Sequence, residues 1–315
     1  MTRTLKSVLR HDADMSEGRE LLRKGSHSFY AASLLLPSVY RQPITALYAF
    51  CRVADDAVDL ADDPAAGLDE LHRRLDRIYA GAPEDHSVDR LFSDVVLSYN
   101  VPYPLPAGLL DGFRWDVEGR IYETLSDTYA YSARAAGTVG AMMAILMGVR
   151  DREVLGRATD LGIAMQLTNI CRDVGEDAAA GRLYLPAERL RANGVDVEAW
   201  RAAPVDHEGV RETVREVLAV ADELYERSEW GISQLPSRVR PAMFAARSIY
   251  AEIGRAIESR SFDSVSGRAW VRGRRKAQLL AHAVRGAFET RSRPAAPALD
   301  EAMFIIDAVD PATGG

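Results

Sequence analysis

At 315 residues, 47% of them hydrophobic and 27% charged, the chain has ordinary globular composition and enough apolar material to bury a core around a deep pocket. A net charge of −7 excludes a general electrostatic pull toward nucleic acid. Two cysteines, Cys51 and Cys171, exclude a disulfide framework and fit a reducing compartment.

The first twenty residues lack the apolar core of a signal peptide. The longest apolar run, "VGAMMAILMGV" at 139–149, is shorter than the roughly 20 residues that span a bilayer. The expectation is a soluble, cytoplasmic protein, with contact at a membrane surface left open. Strand signals are nearly absent, and helical periodicity runs through the chain.

In chain order, the first marked element is the apolar helix "ITALYAFCRVA", which runs straight into an acidic stretch. Next, "LDELHRRLDRIYAG" places Leu68, Leu71, Leu75 and Ile78 on one face and stops at Gly81-Ala-Pro83. No proline falls between Pro106 and Pro186, so long uninterrupted helices are allowed there. A further amphipathic helix is expected from Val210 to Leu235. The fold class is all-α: a single domain of about ten helices over residues 1–290, with no internal repeat or flexible linker. A loosely attached tail, residues 291–315, follows, whose "AMFIIDAV" can dock as a short helix.

Residues 51–63, "CRVADDAVDLADD", gather five aspartates near the C-terminal end of the first helix. The helix dipole disfavours carboxylates there. Asp55 and Asp59, four apart, project from one face and repel each other, which invites a cation. Asp62 and Asp63 read as a solvated turn before Pro64. A second cluster, "QLTNICRDVGEDAAAGRLYLP" at 166–186, repeats the spacing with Asp173 and Asp177.

Asn169 and Gln166 lie one and two turns upstream on the same face of the apolar "LGIAMQLTNI". Burying such a polar stripe without partners is costly, and a water-lined cavity holding metal removes that cost. Gly175 weakens the helix between the two aspartates, so a bend is expected at Asp177. Oxygen ligands without a His or Cys cluster indicate Mg²⁺ rather than zinc, with Mn²⁺ as a substitute. Mg²⁺ is held by one or two carboxylates plus substrate phosphates, so two facing acidic helices suggest a grip on diphosphate.

At these residues the chain resembles the head-to-head prenyl synthases, the squalene/phytoene synthase family. "YAFCRVADDAVD" is similar to the family's first aspartate-rich motif and "QLTNICRDVGED" to its second. "GSHSFYAASLLLP", "AYSARAAGTVGAMM" and "GRLYLP" also match, and the resemblance covers residues 20–285. Within the family the chain looks most like the phytoene-forming members of purple bacteria. The resemblance implies an isoprenoid-synthase fold with both motifs facing a central cavity. It implies 1′-1 coupling of two geranylgeranyl diphosphates, through prephytoene diphosphate, to phytoene. The alternative is a squalene or dehydrosqualene synthase acting on farnesyl diphosphate. A non-catalytic relative is disfavoured, because all four motif carboxylates are present.

The resemblance further implies Asp55, Asp59, Asn169, Asp173 and Asp177 as Mg²⁺ ligands, with Gln166 lining the polar stripe. Arg52 and Arg172 would hold diphosphate oxygens, and Tyr48 would touch the leaving group or the cation. Tyr48, Arg52 and the four motif aspartates form the catalytic set. Ser26, Ser28 and Arg268 match positions near diphosphate. Tyr131 is kept where many members read Tyr-Cys-Tyr, but Ser132 and Ala133 follow it, which puts a second catalytic tyrosine in doubt. No NADPH is expected.

The residues themselves leave blander readings open: helix capping for Ser26 and Ser28, and simple salt bridges for Arg52 and Arg172. Arg272, Arg274, Arg275 and Lys276 read as a solvated face, or as a contact for phosphate or anionic lipid. Small residues at Ser33, Thr45, Ala49, Ala158 and Gly162 are expected to leave room for a twenty-carbon tail. Hydrocarbon substrates and product imply transient membrane contact at a place the sequence does not locate.

Overall fold

A computed structural model describes residues 5–309, and all regular structure among them is helical. The helices run α1 (Leu5–Gly25), α2 (His27–Ser33), α3 (Ser38–Asp59), α4 (Pro64–Tyr79), α5 (Ser87–Tyr99), α6 (Pro104–Val117), α7 (Leu125–Ser132) and α8 (Thr138–Leu146). They continue with α9 (Arg152–Arg172), α10 (Val174–Ala179), α11 (Ala187–Ala192), α12 (Val197–Ala202), α13 (Glu208–Gln234), α14 (Arg240–Glu258), α15 (Gly273–Gly286) and α16 (Met303–Val309). The expected ten become sixteen among the described residues. The main reason is that α2, α10, α11, α12 and α16 have only six or seven residues each, too few to show a period.

The strongly patterned segments fold as expected. In α4, Leu68, Leu71, Leu75 and Ile78 are all buried, and Asp63 caps the helix by accepting from the Ala65 and Ala66 N–H groups at 3.1 Å. α3 starts earlier than its apolar run and takes in Pro43, whose missing N–H removes one bond near the helix start.

α3 and α9 stand on opposite walls of the molecule's central cavity. α3 packs outward on α1, α4 and α5, and α9 on α8, α13 and α14. Between these walls runs a rod made of α7, a π-helical turn at Ala133–Gly137, and α8. Such turns widen a helix and recur at functional sites. Here the turn presents Ala135 to the cavity.

The rod and α9 meet backbone to backbone. A Cβ on Gly162 would overlap the Ala136 carbonyl, and one on Gly140 would overlap the Ala158 carbonyl. Gly162→Ala is therefore expected to force the two helices apart and lower stability by about 1–3 kcal/mol. A denaturant melt with an unchanged midpoint would contradict that contact.

In the tail, "AMFIIDAV" docks as the short helix the sequence allowed, so this part is not loosely attached. A 3-10 turn at Asp300–Ala302 buries Ala302, and α16 after it lays Ile305 and Ile306 into the core against α6, α8 and α9. Their spacing makes one apolar stripe of a helix. Residues 310–315 lie outside the described residues. Among those described, no helix is long and apolar enough to cross a membrane.

Candidate active site

The lower part of the cavity is an apolar well. Ile44, Leu47 and Tyr48 of α3 line it, with Val139 and Met143 of α8 and Leu161 and Met165 of α9 opposite. Its empty volume, counted out to open solvent, is about 1120 Å³.

Arg157 marks the floor, twelve residues and about 18 Å of helix below Asn169. Its Nη1 lies 3.0 Å from the fully buried Asp160, which Arg227 also approaches at 3.2 Å. Of the small residues expected to line the well, Ala158 and Gly162 do so. Ser33, Thr45 and Ala49 do not. Thr45 and Ala49 turn toward Gly18 of α1, because they occupy the opposite face of α3 from Leu47 and Cys51. Ser33 donates to the Tyr30 carbonyl at 2.8 Å.

Above the well the cavity becomes polar, and both acidic clusters line this mouth. Asp55 and Asp59 come from α3, Gln166 and Asn169 from α9, Asp173 from the α9–α10 junction and Asp177 from α10, with Tyr48, Arg52, Tyr131, Asp116, Arg182 and Tyr184 also in the wall. Tyr48 and Asn169 belong to both well and mouth.

The bend in the second motif falls at Asp173, not at Asp177. α9 ends at Arg172, and Asp173 has φ −104° and ψ 13° before α10 begins. Gly175 permits this, since its N–H donates to the Ser264 carbonyl at 3.0 Å and a Cβ there would overlap the Val265 carbonyl.

Arginines hold three of the four motif carboxylates. Arg52 reaches Asp55 at 3.2 Å and Asp56 at 3.1 Å. Arg182 reaches Asp59 at 2.7 Å. Arg172 grips both oxygens of Asp173 at 2.7 and 2.6 Å, and Arg268 adds a contact at 2.8 Å. Asp177 forms no salt bridge among the described residues. Burial, then repulsion from Asp173, raises it to about 7. Burial, then Asp59, raises Asp55 to about 6.

Asn169 donates to Gln166 at 3.4 Å, but its Oδ1 is buried without a hydrogen-bond partner. An orphaned amide oxygen among four carboxylates fits a hard divalent cation. No three carboxylate, His or Cys side chains gather to ligating distance among the described residues. The donor set therefore suits cations held partly by ligand oxygens, not a closed protein cage.

Other expected residues are placed differently. Ser26 caps α2, accepting from the Phe29 N–H at 3.2 Å, and neither it nor the half-buried Ser28 lines the mouth. Their segment serves as backing: Phe29 stacks on Tyr48 at 5.6 Å, and Gly25 packs on the Tyr48 hydroxyl. Arg172 also stays off the mouth lining.

Sequence reasoning missed Asp116 altogether, and it took Arg182 and Tyr184 only as part of a matching flank. Tyr131 and Tyr184 donate to the two oxygens of Asp116 at 3.0 and 2.7 Å, and burial still raises that carboxyl to about 6. "GRLYLP" held the available signal, an Arg and a Tyr two residues apart.

The raised carboxyls set a pH dependence. Asp55, Asp116 and Asp160 at about 6 and Asp177 at about 7 bind protons more tightly than an unfolded aspartate near ~3.9. The folded chain thus holds more protons than the unfolded chain above roughly pH 4. The stability these groups lend is full at low pH and is lost as pH rises through 6 to 7. In EDTA the melting temperature is expected to fall between pH 5 and pH 8. A rise across that window would contradict the assignment.

An apolar well beneath a rim of carboxylates and arginines defines a class: helical proteins that take a multiply charged head at the mouth and its hydrocarbon tail below. The squalene/phytoene synthase family matches residues 22–279, and the chain belongs to that family. It is 47% identical to the phytoene synthase of Rhodobacter capsulatus over 305 residues, which cover 94% of this chain and 90% of that protein. It is 48% identical to the phytoene synthase of Cereibacter sphaeroides over 274 residues, 84% of this chain and 77% of that protein. A dehydrosqualene synthase solved in complex with ligand superposes with a TM-score of 0.80 at 31% identity, over 87% of this chain and 96% of the other.

Proposed function

We propose that the protein joins two molecules of geranylgeranyl diphosphate head to head and converts the product to phytoene, as a prenyltransferase of carotenoid biosynthesis. The observation that carries this reading is the convergence of both acidic clusters on one mouth above one apolar well. Relatives named phytoene synthase at 47% and 48% identity support the product.

In the first step the C–O bond of one substrate breaks and its diphosphate leaves. The second substrate's alkene attacks C1 of the resulting allylic cation, and loss of a proton closes the cyclopropane of prephytoene diphosphate. Loss of the second diphosphate, rearrangement and loss of another proton give phytoene. No reductant enters.

Mg²⁺, for which Mn²⁺ can substitute, would be held by Asp55, Asp59, Asn169, Asp173 and Asp177 and would supply Lewis-acid stabilisation of the leaving diphosphates. Arg52, Arg172, Arg182 and Arg268 now hold carboxylates, and guanidinium groups bind phosphate oxygens equally well. They stand ready to exchange one anion for the other. Ser26 and Ser28 act behind this ring, through the wall that supports Tyr48. Tyr48 stands where the mouth meets the well and bears on the cation, while the apolar lining below excludes water from it. Gln166 and Tyr131 complete the polar wall.

The reading includes a cytoplasmic location with peripheral membrane contact, since tails and product are hydrocarbons. The test is to incubate purified protein with Mg²⁺ and geranylgeranyl diphosphate, without NADPH, and to identify the extracted hydrocarbon by mass spectrometry. Forty-carbon phytoene is expected. A thirty-carbon product from farnesyl diphosphate, with nothing from the longer substrate, would replace this reading with a dehydrosqualene synthase. No product from either would overturn it.

A further inference from the structure

Between Val265 and Phe288 the chain carries six basic residues and no acidic one, although the whole chain has a net charge of −7. Arg268 and Arg275 are tied to Asp173 and Glu252. Arg272, Arg274 and Arg285 form no salt bridge among the described residues, and all three are exposed.

Residues 268–272 form a strap outside any helix whose exposure alternates residue by residue, and Arg272 has the extended φ −66° and ψ 147°. Ala269 and Val271 point inward, at 5% and 7% exposure, while Trp270 is 73% exposed. In an extended chain, residues two apart share a face. Arg268, Trp270 and Arg272 therefore form one outward row, which starts at the acidic mouth, and Trp270 stands about 7 Å further along the chain.

α15 continues this surface. Its Ala283 is buried toward α14, and Ala287 just past its end is fully buried. The outer face presents Ala277, Ala281, Val284 and Phe288 at spacings of four, three and four, the last two 44% and 66% exposed. Arg274 and Arg285 lie along one edge of the stripe. The helix lays this pattern out over about 21 Å.

An apolar stripe bordered by unpaired arginines, with a tryptophan at one end and a phenylalanine at the other, matches a helix lying in a bilayer interface. We propose that the strap and the outer face of α15 form the surface on which the protein rests on an anionic lipid bilayer, with Trp270 and Phe288 as its anchors. The proposal locates the membrane contact included in the proposed function and rests on that reading for its purpose. It also explains why the docking surface adjoins Arg268. The mouth lies beside the plane in which prenyl diphosphates keep their heads, so a substrate moves laterally from lipid to site.

The test is sedimentation of the purified full chain with vesicles of phosphatidylglycerol and phosphatidylcholine, against vesicles of phosphatidylcholine alone. Binding to the anionic vesicles alone is expected, weakened by 0.5 M salt. Each arginine near an anionic surface contributes about a fivefold factor in affinity. Arg272→Glu with Arg274→Glu should therefore lower affinity at least tenfold, and Trp270→Ala with Phe288→Ala should do likewise. These positions lie outside the catalytic set, so both double variants should keep the parent melting temperature and full activity on detergent-dispersed substrate. Sedimentation reads docking whether or not phytoene forms, so failure of the proposed reaction and failure of this surface are separate results. Absence of binding to anionic vesicles, or equal binding by the variants, would overturn the surface. Capture of another protein by this face, with no vesicle binding, would overturn it too.

Discussion

Asp173→Ala is expected to fold and to lose about 10³-fold or more in turnover, the equivalent of some 4 kcal/mol of charge stabilisation. Asp173 sits at the one non-helical residue between α9 and α10, where both its oxygens face arginines that can also serve a diphosphate. On the proposed reading its removal takes away a cation ligand, and it leaves Arg172 and Arg268 without their shared partner. Asp63, in the first acidic run, is the matched comparison. It caps α4 and touches nothing in the mouth. Asp63→Ala should lower stability by about 1 kcal/mol and leave turnover unchanged. Steady-state kinetics beside thermal melts of the two variants separate the roles, and similar kinetic losses in both would refute the distinction.

Asp160→Ala is expected to be the most destabilising single change, lowering stability by about 3–5 kcal/mol. Asp160 is 0% exposed, with Arg157 and Arg227 at 3.0 and 3.2 Å, and burial pushes its carboxyl up to about 6 against the pull of both arginines. Deleting it strands the 6% exposed Arg157 beneath an apolar well. The double variant Arg157→Leu, Asp160→Leu removes the buried pair and replaces it with apolar bulk, a change that is often neutral or stabilising. Urea unfolding of both proteins gives the comparison. A double variant weaker than the single would show that the floor depends on the charges themselves.

The legible parts of this molecule were those whose partners lie within a few residues. The apolar period of α4 and the four-residue spacing of each aspartate pair are local, so helix faces and the existence of two acidic patches followed from the chain. Asp116 was not legible. It sits in α6 with no acidic neighbour at helical spacing, and only the fold brings Tyr131 and Tyr184 to it. Arg182 is likewise given its purpose by Asp59, which lies 123 residues away.

The sequence left readings open where one residue type serves two ends. Serine before a short helix caps it as readily as it binds a ligand, and Ser26 caps. Small residues line cavities and also let helices cross, so Thr45 and Ala49 turned out to face α1. The bend moved to Asp173 because the tertiary contact of Gly175 with Ser264 and Val265 fixes it, a constraint that no local pattern carries.

The decisive measurement is calorimetric binding of the unreactive thiolo analogue of geranylgeranyl diphosphate, with Mg²⁺ and then in EDTA. If the two acidic clusters grip the diphosphate through divalent cations, chelation should weaken binding by about 100-fold or more, some 2.7 kcal/mol. The Asp55→Ala, Asp173→Ala double variant should bind equally weakly with or without the metal. Affinity that is unchanged by EDTA, or retained by the double variant, would mean that the arginines alone hold the head and that the carboxylates serve some other end.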